Sequence, residues 1–422
     1  MHKSIPAKYL RAAMLALLCQ AGIASAAVTF IGEGAIPGNS IDQSGLTGLL
    51  EDGVTPHNQA GGFGSGFAHG AGNLYYAVPD RGPADGATHY IDRIYTLRID
   101  LKRESVNRYQ VKPEIVTTRL MHNGAHRYFT GAATAFDATG SPASLRFDPE
   151  GVRVSSCGNS IYVSDEYGPY LYEFNIANGK RIRSLPLPNK YLIDYPSATP
   201  GIELARNVAG RQSNRGMEGL AISPDGRKLY GMMQSPLLQD GALDANNSRI
   251  GLNARIVEID TASGAAREFL YPLDVKGNGI SEILAVNERE FLVLERDGKP
   301  GADARIKKIY KIDLASATDI RDVKQLPASG IPAGVVPVSK QLFIDLLDPA
   351  FGLAGANFPE KIEGLAFGPD LEDGRHLLLV MNDNDFIASQ PTRLFAFAVD
   401  HYDLPGYQAQ QFGRGYRDEC RH

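Results

Sequence analysis

MEGLAISPDGRKLYGMMQ, residues 217–234, reads as two strands joined by one turn. The first half is apolar up to Ser223, and Pro224-Asp225-Gly226-Arg227 carries turn chemistry, with a glycine free to take positive φ. Residues 228–234 return as the antiparallel partner. After a loop, residues 255–260 supply a third strand, and a turn at 261–264 leads to a fourth at 266–271. Four consecutive antiparallel strands make one propeller blade.

The same design recurs on either side. Glu150-Gly151-Val152 and Glu363-Gly364-Leu365 open two further units as Glu218-Gly219-Leu220 opens this one. Ser281-Glu282-Ile283 opens a fourth without the glycine, and a weaker unit begins near residues 64–68. Each later contains a strand of one kind: RIYTLR from Arg93, YLYEFN from Tyr170, RIVEID from Arg255, KIYKID from Lys308 and RLFAFA from Arg393. Self-similarity of β-units names the architecture before any single residue does. The expectation is an all-β chain forming a single β-propeller of four-stranded blades, with five repeats visible and length for five or six blades. An N-terminal strand at 28–31 would complete the last blade and remove the exposed edges. Glu150, Glu218, Glu282 and Glu363 are 68, 64 and 81 residues apart. These periods exceed the roughly 40–45 residues of a short-looped blade, so long loops are expected at 186–214, 236–253 and 345–360.

Lys3, Lys8 and Arg11 precede an apolar run ending at Ala24-Ser25-Ala26, the pattern of a secretory signal peptide cleaved before Ala27. The remaining 27–422 are expected to be one exported domain, periplasmic or secreted and monomeric, without a membrane span. A net charge of −5 gives no electrostatic reason to expect nucleic acid. Cys157 and Cys420 remain after the signal and are expected to pair in an oxidising compartment.

In a propeller the innermost strands line one axial channel, so equivalent positions of distant units converge. Glu150, Glu218, Glu282 and Glu363 would therefore meet as a candidate catalytic set. Crowded carboxylates repel unless cations balance them, and calcium suits an oxygen-only donor set. A second set follows the second strands: Asp80, Asp165, Glu166, Glu295, Asp383 and Asp385 as candidate metal ligands. Arg81, Arg215 and Arg296 among them suit an anionic substrate. Any one of these acids can equally be ordinary turn chemistry. No G-x-S-x-G elbow, P-loop, G-x-G-x-x-G or H-E-x-x-H motif is present.

Three segments resemble the phytase-like family known as "esterase-like activity of phytase". They are DPEGVRVSSCGNSIYVSDEYGPYLYEFN from Asp148, NRGMEGLAISPDGRKLYGMMQSPL from Asn214 and KIEGLAFGPDLEDGRHLLLVMNDNDF from Lys361. The resemblance spans residues 61–399. It implies an exported bacterial β-propeller that hydrolyses phosphoric esters, with a small phosphate ester or other ester as substrate. True β-propeller phytases, which this chain resembles distantly, use calcium in an acidic channel to bind phosphate and activate water. Two other readings stay open: a propeller that binds a ligand or protein without catalysis, and a calcium-dependent esterase or lactonase.

Overall fold

The structure is a computed structural model describing residues 28–125, 127–140 and 143–413. The segment expected to be a signal peptide and Cys420 lie outside the described residues; Cys157 is disulfide-bonded. Among the described residues, twenty strands form five four-stranded antiparallel sheets. Blade 1 is β2 (Gly66–His69), β3 (Leu74–Val78), β4 (Arg93–Ser105) and β5 (Arg108–Leu120). Blade 2 is β6 (Pro149–Val154), β7 (Ser160–Asp165), β8 (Leu171–Asn175) and β9 (Arg181–Leu185). Blade 3 is β10 (Met217–Ile222), β11 (Lys228–Met233), β12 (Asn253–Asp260) and β13 (Ala266–Pro272). Blade 4 is β14 (Gly279–Ala285), β15 (Glu290–Arg296), β16 (Lys307–Asp313) and β17 (Ser339–Asp345). Blade 5 takes β18 (Ile362–Phe367), β19 (His376–Asn382) and β20 (Thr392–Val399) from the C-terminal region. Its outer strand is β1 (Thr29–Ile36), paired antiparallel with β20 from Thr29↔Ala398 to Ile36↔Thr392. The ring thus has five blades, closed by the N-terminal strand as the sequence leads one to expect.

The turn that opened the reading shows how each hairpin is fixed. Gly226 takes φ +75°. Asp225 Oδ1 accepts from Ser223 Oγ at 2.7 Å and from Arg227 N at 3.0 Å, which sets Leu220 opposite Gly231 and Ile222 opposite Leu229. Five large apolar clusters fill the five blade-to-blade interfaces. Burial of these alternate faces is the main force holding the ring. Helix is confined to short pieces, such as Pro200–Arg206. No helix among the described residues is long and apolar enough to cross a membrane.

The innermost strands β2, β6, β10, β14 and β18 each touch the next around the ring. Gly151 and Gly219 are glycines because that contact is close. A Cβ on Gly151 would lie 2.6 Å from Leu220 N, and one on Gly219 2.9 Å from Ile283 N.

Candidate active site

A β-bulge aims the axial acids. In β10 the register slips between Met217 and Gly219, in β18 between Ile362 and Gly364, and in β6 between Pro149 and Val152. The residues left over are Glu218, Glu363 and, in β6, Glu150 together with Gly151. A bulge turns one side chain out of the alternating pattern, and bulges of this kind gather beside functional sites. In β14 the slip falls between Ile280 and Glu282, so the matching residue is Ser281. In blade 1 the residue before Gly66 is Ser65. The axial ring is therefore Ser65, Glu150, Glu218, Ser281 and Glu363, and all five are buried.

Glu282 takes the position that glycine holds in the neighbouring blades, and its carboxylate does not join the ring. It accepts from Leu220 N at 3.0 Å and Ile283 N at 2.9 Å, and pairs with Arg153 Nη2 at 3.0 Å. Arg153 in turn donates to Phe67 O and Ile283 O, each at 2.8 Å. Those carbonyls belong to blades 1 and 4, which are not neighbours, so the guanidinium lies across the channel and closes its lower end. Below it is a cavity of about 510 Å³ among Ala68, Ile222, Leu284 and Phe367, covered by Tyr407 and Phe412 of the C-terminal segment.

Above Arg153 the acids predominate. Glu363 accepts from Ser65 Oγ at 3.3 Å and pairs with Arg296, whose Nε donates to Ser281 Oγ at 2.9 Å. Glu218 accepts from the Gln234 amide. Glu150 has no ion-pair partner among the described residues. Oxygens of Asp148, Glu150 and Glu166 lie within 4.8 Å of one another. Arg81 holds two of these, Asp148 at 2.6 Å and Glu166 at 3.0 Å. Five carboxylates thus face two paired arginines. Burial, then the charges of Glu218, Asp148 and their neighbours, push the Glu150 carboxyl well above its usual range. Burial, then Glu166 and Glu363, do the same to Glu218. Burial raises Asp148 to about 6 against the opposing pull of Arg81.

The second expected set divides. Asp80, Asp383 and Asp385 converge, but Lys361 Nζ stands among them, 3.5 Å from Asp80 and 3.0 Å from Asp383, and also pairs with Asp385. That cluster already holds an internal cation. Asp165 is turned into the loop, where it accepts from Asp148 N at 2.8 Å and from Gly168 N; burial raises it to about 7. Its role is to hold Asp148 in place. Glu295 lies outside the channel, accepting from Tyr271 Oη at 2.6 Å and paired with Lys340. The alternation of a strand explains this: Arg296 faces the axis, so Glu295 faces the adjacent blade. Of the three expected substrate arginines, Arg81 and Arg296 are engaged by acids. Arg215 has no carboxylate partner among the described residues and meets only Ser235 Oγ, at 3.4 Å.

Asp148 and Lys361 did not stand out in the sequence. Each precedes a ring glutamate by two residues, which is the one signal that would have found them.

A five-bladed β-propeller with acids gathered at one end of its axis is the class that fold and site define. Residues 58–386 match the phytase-like family, described as "esterase-like activity of phytase", and the chain belongs to that family. An "uncharacterized secreted protein" of Arthroderma benhamiae is 26% identical over 464 residues, covering 86% of this chain and 87% of that one. Among solved structures, Myxococcus xanthus glutaminyl cyclase is 13% identical, with 88% of this chain and 97% of that chain covered and a TM-score of 0.38. A protein of unknown function from Bacteroides thetaiotaomicron is 12% identical, covering 87% and 76%, with a TM-score of 0.34. Likenesses this distant carry no argument about activity.

Proposed function

We propose that the chain is an exported hydrolase of phosphate monoesters, assisted by a divalent cation bound at the acidic end of the channel. The observation that carries this reading is the Glu150–Glu218 pair. The two carboxyls are buried on adjacent innermost strands, the charge of Glu218 helps to raise Glu150, and neither has an ion-pair partner among the described residues. Oxygen ligands around calcium lie about 2.3–2.6 Å from the ion, so opposite ligands are roughly 5 Å apart. The 4.8 Å spread of Asp148, Glu150 and Glu166 fits that span; Arg81 pairs with two of these acids and not with Glu150, whereas Lys361 pairs with all three of the Asp80 cluster. Asp148, Glu150, Glu166 and Glu218 would hold the ion. When bound, calcium would neutralise phosphate charge and lower the pKa of an attacking water.

The chain's own residues supply the rest. Arg215 binds phosphate oxygens through its forked donors. One carboxylate of the Glu150–Glu218 pair accepts the proton of the attacking water and then returns it to the departing ester oxygen. Arg81, Arg296 and Gln234 keep the acids in position. The family description and the secreted relative support the hydrolytic and exported parts of the reading.

The test is to strip the protein with chelator, then assay phosphate monoesters, carboxylic esters and lactones with and without calcium. Phosphate release that needs calcium and falls at least about a hundredfold in Glu218→Gln is the expected result. Turnover of esters or lactones alone would move the activity to carbonyl chemistry. Inactivity of folded protein on all three would leave a binding propeller.

A further inference from the structure

Two guanidiniums stand by the acidic mouth without a carboxylate partner among the described residues. Arg215, just before β10, is half-buried and reaches only Ser235 Oγ. Arg249 is exposed on the hairpin of residues 242–250, where it pairs with Leu243 in an antiparallel bridge. That hairpin is anchored beside Arg215. Ile250 N donates to Ala242 O at 2.9 Å, and a Cβ on Gly251 would lie 3.2 Å from Pro236 Cβ, one residue from Ser235. The two cations repel each other: burial, then the Arg249 charge, depress Arg215 to about 10, while Glu166 opposes both shifts. Across from Arg215 Nη1 is Gly279, whose added Cβ would sit 3.8 Å away and 3.3 Å from the Gln234 side chain, so the backbone there approaches the guanidinium closely. The preceding residue, Asn278, is 6% exposed, and its Nδ2 has no acceptor among the described residues. Arg81 and Arg296 differ from this pair, since each is bonded to acids of the ring. Two guanidiniums without an ion-pair partner among the described residues, one half-buried, gain from an anion placed between them.

We propose that Arg215 and Arg249 form a clamp for a tetrahedral oxyanion at the channel mouth, with Asn278 as a neutral donor. The clamp selects esters that carry a phosphate-type anion over neutral esters, and it makes free phosphate a competing ligand. The selection of ester rests on the hydrolase reading above; the binding of the anion does not.

The test is calorimetric titration of inorganic phosphate into the chelator-treated exported chain at low ionic strength. Saturable binding is expected, weakened about tenfold or more in Arg249→Ala and in Arg215→Ala, and less in Arg215→Lys, which keeps charge but loses the fork. Arg249→Ala is exposed, and its melting temperature should match the parent. No saturable binding by the parent, or equal binding by Arg249→Ala, would overturn the clamp. If both arginines carry phosphate binding yet no phosphate ester is cleaved, the hydrolase reading fails and the clamp stands. If esters are cleaved with KM unmoved in Arg249→Ala, the clamp fails and the hydrolase reading stands.

Discussion

Glu282 and Glu150 are both enclosed glutamates on innermost strands, and their surroundings are opposite. Glu282 receives two backbone N–H groups and the Arg153 guanidinium, so its charge is answered locally. Glu150 meets other acids and no cation of its own among the described residues. The lower end of the channel is therefore a finished structural joint, and the upper end is left with an unanswered charge. An arrangement that costs stability without a ligand is the kind found at functional sites.

The largest expected effect comes from breaking the joint. Arg153→Met would strand Glu282 in the interior and free the carbonyls of blades 1 and 4. A loss of about 3–5 kcal/mol in denaturant unfolding is expected; a loss below about 1 kcal/mol would erase the contrast between the two ends. Next in size is the paired substitution. Glu282→Gln should cost about 1–3 kcal/mol by leaving Arg153 unpaired. Glu150→Gln in cation-free protein should cost nothing or raise stability by about 1 kcal/mol at pH 8, since it removes repulsion. Equal losses from both would show that the two glutamates do the same job.

Titration sharpens the comparison further. Asp148 is raised to about 6 and Glu282 to about 7, chiefly by burial, and Glu150 and Glu218 are raised well above the normal range. Groups raised in the folded state contribute stability below their unfolded pKa and lose it as pH climbs through the folded one. Cation-free protein should therefore lose stability from about pH 4 to beyond pH 7. Calcium takes the place of the protons on Asp148, Glu150 and Glu218, so its gain in melting temperature should be larger at pH 8 than at pH 5.5, as calorimetry would show. A gain independent of pH would place the ion elsewhere. The smallest effect is expected at Glu295, outside the ring: Glu295→Gln should leave calcium affinity within about twofold.

The blades were legible because they follow from local chemistry: turn residues at 224–227, apolar alternation and repeated strand types are all written within a few residues of each other. Closure by β1 followed from the need to cover an edge. The ring itself was only partly legible. Aligning acid with acid selects Glu282, but a bulge counts residues and not charges, and by that count Ser281 and Ser65 belong to the ring. Arg153 gave no signal either, since its contacts lie in blades 1 and 4, far away in sequence. The cation in the Asp80 cluster was hidden for a similar reason: Lys361 meets Asp383 and Asp385 only once β18 and β19 pair, and Asp80 only once blades 1 and 5 are joined.

The central claim is that the upper acids lack a cation that the protein is built to receive. Calorimetric titration of calcium into chelator-treated protein at pH 7.5, alongside Glu150→Gln and Glu218→Gln, tests it most directly. The account predicts saturable binding by the parent that weakens at least about tenfold in both variants while Glu295→Gln binds normally. No binding by the folded parent, or binding untouched by either substitution, would contradict it.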